Sequence, residues 1–236
     1  MKKKLLLLST IAAFALSLCG CDSKDDSKDD TKETVTTEAT TEATTEAGDI
    51  SEQTEDAERG SVANGVFTND VFKISFPVSD DWYICSDAEI AQLIGFTTEN
   101  IEENTSLTVE QFEAATAGTV YDCVFYFSDM QSNCNITYTS LDRLGMYSTL
   151  PVMDYAEVSA TQLESMASPK YTADEPTTET YGGDEYACLN VTTDQGYSQK
   201  MLMKKENGYM VMITLTYFPE LESEMQSYLD SFTEVN

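Results

Sequence analysis

The chain reads as an α+β protein: an antiparallel sheet of about six strands covered by helices on both faces, preceded by a signal peptide and a disordered linker. Three observations predict this. Asn207-Gly208 separates two alternating runs, Tyr197–Lys205 and Tyr209–Tyr217, and Asn-Gly between such runs is the strongest short-range hairpin signal. Pairing across that turn sets Met203 opposite Met212, with Met201 and Met210 on the same side and Leu202, Val211, Ile213 and Leu215 on the other. Both faces are then apolar, which suits strands covered from both sides. Apolar residues at helical period run through Tyr155, Val158, Leu163 and Met166, and again through Leu221, Met225, Tyr228, Leu229 and Phe232.

At the N-terminus, Lys2, Lys3 and Lys4 precede an apolar run from Leu5 to Leu16, the layout of a secretory signal. The run is too short to span about 30 Å of hydrocarbon. It ends in Leu18-Cys19-Gly20-Cys21, which resembles the lipobox of bacterial lipoproteins: Leu, any residue, Gly or Ala, then the lipidated Cys. Cys21 fits that pattern and Cys19 does not, because Leu18 stands where a small residue is needed. The resemblance implies a signal peptide over 1–20 and a diacylglyceryl group, palmitate-like in its acyl chains, on Cys21. Two chains make a durable anchor where one does not. It also implies a bacterial protein held on the extracytoplasmic face of the cell membrane.

Residues 21–62 change character abruptly. Asp- and Lys-rich repeats give way to Thr36-Thr37-Glu38-Ala39 and its two copies, with no aromatic residue between Asp22 and Val62. Such a segment buries too little apolar surface to offset the entropy of ordering it. The expectation is a spacer with an r.m.s. span of roughly 35 Å. Its Thr-rich stretch is open to glycosylation, and its Asp-rich start lacks the Gly and closing Glu of a calcium loop.

Residues 63–236 are one domain's worth of chain. Phe72-Lys73-Ile74-Ser75-Phe76 alternates as a strand, followed by Pro77 and the single tryptophan, Trp82. Asp87 to Ile94 reads as a helix with Gly95 as its C-cap. Thr108-Val109-Glu110-Gln111 is a capping-box pattern opening a short helix that stops at Gly118. Strands follow at 119–127 and 133–140, joined around Asp129-Met130-Gln131, which sets Cys134 near Tyr126. The helix through Tyr155 leads to a turn at Gly182-Gly183-Asp184 and a strand near 185–192. The Asn207-Gly208 hairpin comes next, and a helix after Pro219 closes the chain.

Composition narrows the chemistry. The sequence has 42 acidic against 13 basic residues and no histidine, for a net charge of −29. From Ser61 onward the basic residues are Lys73, Arg143, Lys170, Lys200, Lys204 and Lys205. Such a surface repels phosphate backbones, so nucleic acid is excluded as a partner. It also repels anionic headgroups, leaving the lipid on Cys21 as the membrane contact. Without histidine there is no Ser-His-Asp or Cys-His arrangement and no His-based zinc site. Carboxylate pairs of the glycosidase kind stay open, although no pair stands out.

Cys85, Cys123, Cys134 and Cys188 form no Cys-x-x-Cys, and each lies in an apolar run. Buried thiols are favoured over disulfides, which an exported protein also permits. The Met cluster of the hairpin reads as core filler rather than as a Cu(I) thioether site. No metal, cofactor or catalytic residue is assigned.

Phe72-Lys73-Ile74-Ser75-Phe76-Pro77 leading to Trp82, Asn135-Ile136-Thr137-Tyr138, Asp154-Tyr155, Gly182-Gly183-Asp184-Glu185-Tyr186, the Tyr197–Tyr217 hairpin and Ser231-Phe232 recur in an order that resembles the PsbP-like and Mog-type domains. These are antiparallel sheets sandwiched by helices, found in lipoproteins of Gram-positive bacteria. The resemblance covers about residues 65–235 and implies a non-catalytic binding or scaffolding module for a protein or envelope partner. The alternatives are a small-ligand or cation-binding lipoprotein accessory to a transporter, and a carboxylate-based hydrolase.

Overall fold

The computed structural model describes residues 59–104, 108–109 and 118–233. The signal segment, Cys21, the linker through residue 58 and most of the helix expected at 108–117 lie outside the described residues.

Two sheets are present. A small one pairs β1 (Ser61–Ala63), β2 (Val66–Asn69) and β3 (Ile74–Pro77) in that order. The large one has eight strands, all antiparallel. Its order is β4 (Tyr83–Ile84), β5 (Thr119–Tyr126), β6 (Asn133–Ser140), β11 (Tyr209–Tyr217), β10 (Ser198–Glu206), β9 (Asp184–Thr193) and β7 (Tyr171–Ala173), with β8 (Thr177–Tyr181) also on β9. The expected six strands thus become eight in the main sheet and three beside it. The additions are two- to five-residue strands, several of them exposed and rich in Ser or Thr, which carry little apolar alternation. Described structure also reaches back to Arg59, a few residues before the expected domain start at 63.

The Asn207-Gly208 hairpin folds as read: both residues take positive φ, 49° and 83°, as the mirror-image turn demands, and Met203 pairs with Met212. The β5–β6 pair also forms where expected, with Cys134 opposite Phe125, one residue from Tyr126. Asp122 bulges out of that register.

Three helices cover the sheet: α1 (Asp87–Asn104), α2 (Val152–Glu164) and α3 (Glu222–Asp230), with a 3-10 segment at Leu141–Thr149. One face carries Cys123, Phe125, Phe127, Cys134, Ile136, Leu202, Ile213 and Leu215, closed by α3 and the small sheet. Aromatic rings dominate this core: Trp82 stacks on Phe125 at 5.0 Å between centroids, and Phe76 meets Tyr228 edge-on at 5.2 Å. On the other face, α1 lays Ile90, Leu93 and Ile94 over Tyr121, Val124 and Tyr126 of β5. There α2 lays Tyr155, Ala156 and Leu163 over Leu189, Val191 and the four hairpin methionines.

Gly95 does not cap α1; the helix runs through it to Asn104. The ending signal was outweighed because the start is strongly fixed. Ser86 and Glu89 form a capping box the sequence reading did not single out. Ser86 N–H donates to Glu89 Oε2 at 2.7 Å and Glu89 N–H donates to Ser86 Oγ at 3.4 Å.

Candidate functional site

Cys21, the one site residue read from the sequence, lies outside the described residues. In the folded domain the titratable clusters are each committed to structural contacts.

Asp122 is 4% exposed at the β5 bulge. Its Oδ1 accepts from Gly60 N–H at 2.6 Å and its Oδ2 from Asn69 Nδ2 at 2.8 Å, while Arg59 Nη2 donates to its carbonyl at 3.0 Å. Arg59 also pairs with Asp87 at the start of α1. Burial raises the Asp122 carboxyl above its ordinary value, and the Gly60 and Asn69 hydrogen bonds pull only partly against that. The cleft beside it holds about 310 Å³. Gly60 passes so close to the Phe67 ring that a Cβ would lie 2.4 Å from it. The group is a clasp joining the first described residues to the sheet.

A second cluster lies at the β8–β9–β10 edge. Lys200 Nζ donates to Glu179 Oε2 at 2.7 Å and to Tyr181 OH at 3.0 Å, and Tyr181 OH donates to the same carboxylate. Burial opposes both charges, yet these hydrogen bonds outweigh it, holding Glu179 below and Lys200 above its ordinary value. The lysine stays protonated and the carboxylate ionised, so neither is poised to move a proton near neutral pH. Lys204 forms an ion pair with Asp184 and lies over the ring of Tyr186.

The four cysteines are buried free thiols. Burial pushes Cys85 up to about 11, and Cys123 and Cys188 up to about 12. A thiol held that high is not a nucleophile at neutral pH. The methionines pack against Tyr155, Leu163 and Met166, as core residues do.

A polar floor lies on the α1/α2 face of the sheet. Because α1 covers β5 while α2 covers β9 and β10, the central strands β6 and β11 lie between the two helices. Their residues on that face are Asn133, Asn135 and Thr137 on β6 and Thr214 and Thr216 on β11, with Gln199 adjoining on β10. None is more than 4% exposed. Register arranges them in rows. Gln199, Thr216 and Asn133 stand side by side; the next row is Met201, Thr214, Asn135 and Val124; the third is Met203, Met212, Thr137 and Tyr121.

Some of the polar atoms satisfy one another: Gln199 Nε2 donates to Thr216 Oγ1 at 3.0 Å. Others do not. Gln199 Oε1 and Thr214 Oγ1 are buried with no hydrogen-bond partner, as is Gln162 Oε1 on α2. Buried polar atoms are nearly always paired, so these three are exceptions within an otherwise hydrogen-bonded interior.

The sequence carried a signal for this site. Asn133, Asn135, Thr137 and Thr139 alternate with Cys134, Ile136 and Tyr138, and Thr214 and Thr216 extend the methionine side of β11. The hairpin's methionine face is therefore apolar at the Asn207-Gly208 end only. Alternation of this kind ordinarily marks a wet face; here both faces are covered.

This is an antiparallel sheet sandwiched by helices, with an uncharged polar floor under one layer. No protein-family model matches the chain and no curated protein matches it. Among solved structures it is similar to the solution structure of cyanobacterial PsbP (CyanoP) from Synechocystis sp. PCC 6803. That likeness has 10% identity over 76% of this chain and 98% of that one, with a TM-score of 0.46. It is also similar to LpqN, involved in cell envelope biogenesis of Mycobacterium tuberculosis, with 11% identity over 69% of this chain and 83% of that one and a TM-score of 0.38.

Proposed function

We propose that this protein is a lipid-anchored extracytoplasmic binding module. Cys21 carries the lipid, the linker sets the domain out from the membrane, and the domain binds a protein or envelope partner. The observation that supports binding over reaction is that Asp122, Glu179 and Lys200 are tied into clasps and ion pairs. The lipobox supports the location. Among the described residues no helix is long and apolar enough to cross a membrane.

Two measurements test this. Cys21→Ala is expected to release the protein into the medium or leave it unprocessed, and unchanged membrane retention would refute the anchor. Affinity capture from envelope extracts, comparing the folded chain with the unfolded chain, addresses binding. A component retained by the first and lost by the second supports the reading; equal recovery on both, or none on either, overturns it.

A further inference from the structure

We propose that β8 is a docking edge that takes an extended basic segment of a partner protein as an added strand. This rests on the binding reading above and names the surface and the chemistry of the partner.

β7 and β8 lie end to end along one side of β9, whose other side is filled by β10. β8 pairs with β9 alone, so its far side is a sheet edge. The hairpin register shows what that edge presents. Gly182 and Gly183, at φ 59° and 87°, form a two-residue turn between Tyr181 and Asp184. Residues flanking such a turn exchange hydrogen bonds, and the pattern alternates along the ladder. Tyr181, Glu179 and Thr177 therefore bond to β9, while Thr178 and Thr180 turn their N–H and C=O groups outward. Both threonines are exposed, and neither proline nor lysine interrupts the strand. Such residues ordinarily blunt an edge against pairing. Outward main-chain groups of this kind are what strand addition uses.

Charge names the occupant. Glu179 and Asp184 are spent on Lys200 and Lys204, and Glu206 lies 3.6 Å from Lys73. Asp174, Glu175 and Glu185 are exposed beside the strand and have no ion-pair partner among the described residues. The chain carries a net charge of −29, so a second copy would bring like charge to like at this edge. A cleft of about 310 Å³ opens beside Thr178, lined by Ala187 and Met203 of the sheet, by Val152 and Met153 of α2, and by Glu185. By register Thr178, Glu185 and Ala187 stand on one face. Lys205 also borders the cleft, but its ammonium donates to the carbonyls of Ser148 and Leu150 at 2.6 and 2.5 Å. A lysine or arginine of the added strand can lay its aliphatic stem over Met153 and bring its charge to Glu185. An acidic strand is repelled there, and a neutral one leaves the carboxylates unanswered.

The test titrates the full ¹⁵N-labelled chain with a short peptide of alternating lysine and valine. One control peptide has every backbone amide N-methylated, which removes its main-chain donors, and another has glutamate in place of lysine. Hydrogen exchange at the Thr178 and Thr180 amides is expected to slow on binding, while the amides of β1, the edge of the small sheet, are unaffected. Both controls are expected to bind at least about tenfold more weakly. Thr180→Pro puts proline where the ladder uses no N–H, and is expected to weaken binding by about tenfold or more. If that variant fails to fold, Glu185→Lys replaces it, with a loss of about fivefold or more expected. Equal binding of either control, unaltered binding by the folded variant, or protection at β1 in place of β8 overturns the proposal. So does a dimer in sedimentation that Thr180→Pro abolishes, which would assign the edge to a second copy. No binding of the basic peptide up to about 10 mM also overturns it. Each of these results leaves the anchored-module reading standing, because envelope capture decides that one separately.

Discussion

Replacing Asp122 with alanine tests whether the start of the domain is held by a buried carboxylate. The substitution removes the acceptor for Gly60 N–H and for Asn69 Nδ2, and a hydrogen-bond partner of Tyr138. Each buried donor left unpaired costs roughly 1–3 kcal/mol. Removing a carboxylate whose burial was itself unfavourable offsets part of that loss. The net expectation is a destabilisation of about 2–4 kcal/mol, and at roughly 2–4 °C per kcal/mol for a domain of this size, Tm falls by about 4–16 °C. Thermal unfolding by circular dichroism reads the total, and hydrogen exchange at the Gly60 amide reads the clasp locally. The pH dependence follows from the raised carboxyl. Because the native state holds the Asp122 proton to higher pH than the unfolded chain, the stability it contributes is complete below the unfolded value of about 3.9 and is lost as pH rises through the native value. Asp122→Asn is expected to flatten that slope with a smaller loss of stability than Asp122→Ala. A Tm within about 1 °C of the native protein in Asp122→Ala, with unaltered exchange at Gly60, would refute the clasp.

Gly95 lies exposed inside α1 with open space around a built Cβ, so Gly95→Ala should raise stability by about 0.5–1 kcal/mol in chemical denaturation, and a lower midpoint would contradict the continuous helix. The hydrogen bond from Tyr83, with those from Ser86, lowers the Glu89 carboxyl to about 2. The cap is therefore intact above the unfolded value of about 4.3 and lost as pH falls toward 2, and Glu89→Gln should remove that acid-side dependence of helicity. Ser86→Ala should cost about 0.5–2 kcal/mol by the loss of the N-cap, read in the same denaturation assay. Cys85, Cys123, Cys134 and Cys188 should resist a disulfide reagent in the native state and all react after unfolding without reductant; fast native labelling would show that they are not buried thiols.

Several features were legible in the residues because their causes are local. Asn207-Gly208 needs no tertiary context to demand a mirror-image turn, and that turn fixes the pairing of Met203 with Met212. The strands at 119–126 and 133–140 and the helix carrying Tyr155 and Leu163 followed from apolar periodicity. The short strands β1, β2, β4, β7 and β8 were not legible, since two to five residues hold too little pattern to distinguish strand from loop. Gly95 misled for a different reason: a glycine after an apolar run signals a C-cap on average, but here the helix was already started by the Ser86–Glu89 box and continued.

The sequence by itself made the architecture legible, an antiparallel sheet with helices on both sides, and its resemblance to a lipobox at Cys21 supplied the proposed address. It also removed histidine chemistry, because the chain has no histidine. Only the tertiary structure decided what the polar residues do. Asn133, Asn135, Thr214, Thr216 and Gln199 come from three strands and look individually like solvent-facing positions. Cross-strand register gathers them into one floor, and each of them is buried in the fold. Long-range pairing and burial are properties of the folded chain, and they turn an ordinary alternation into a buried polar floor.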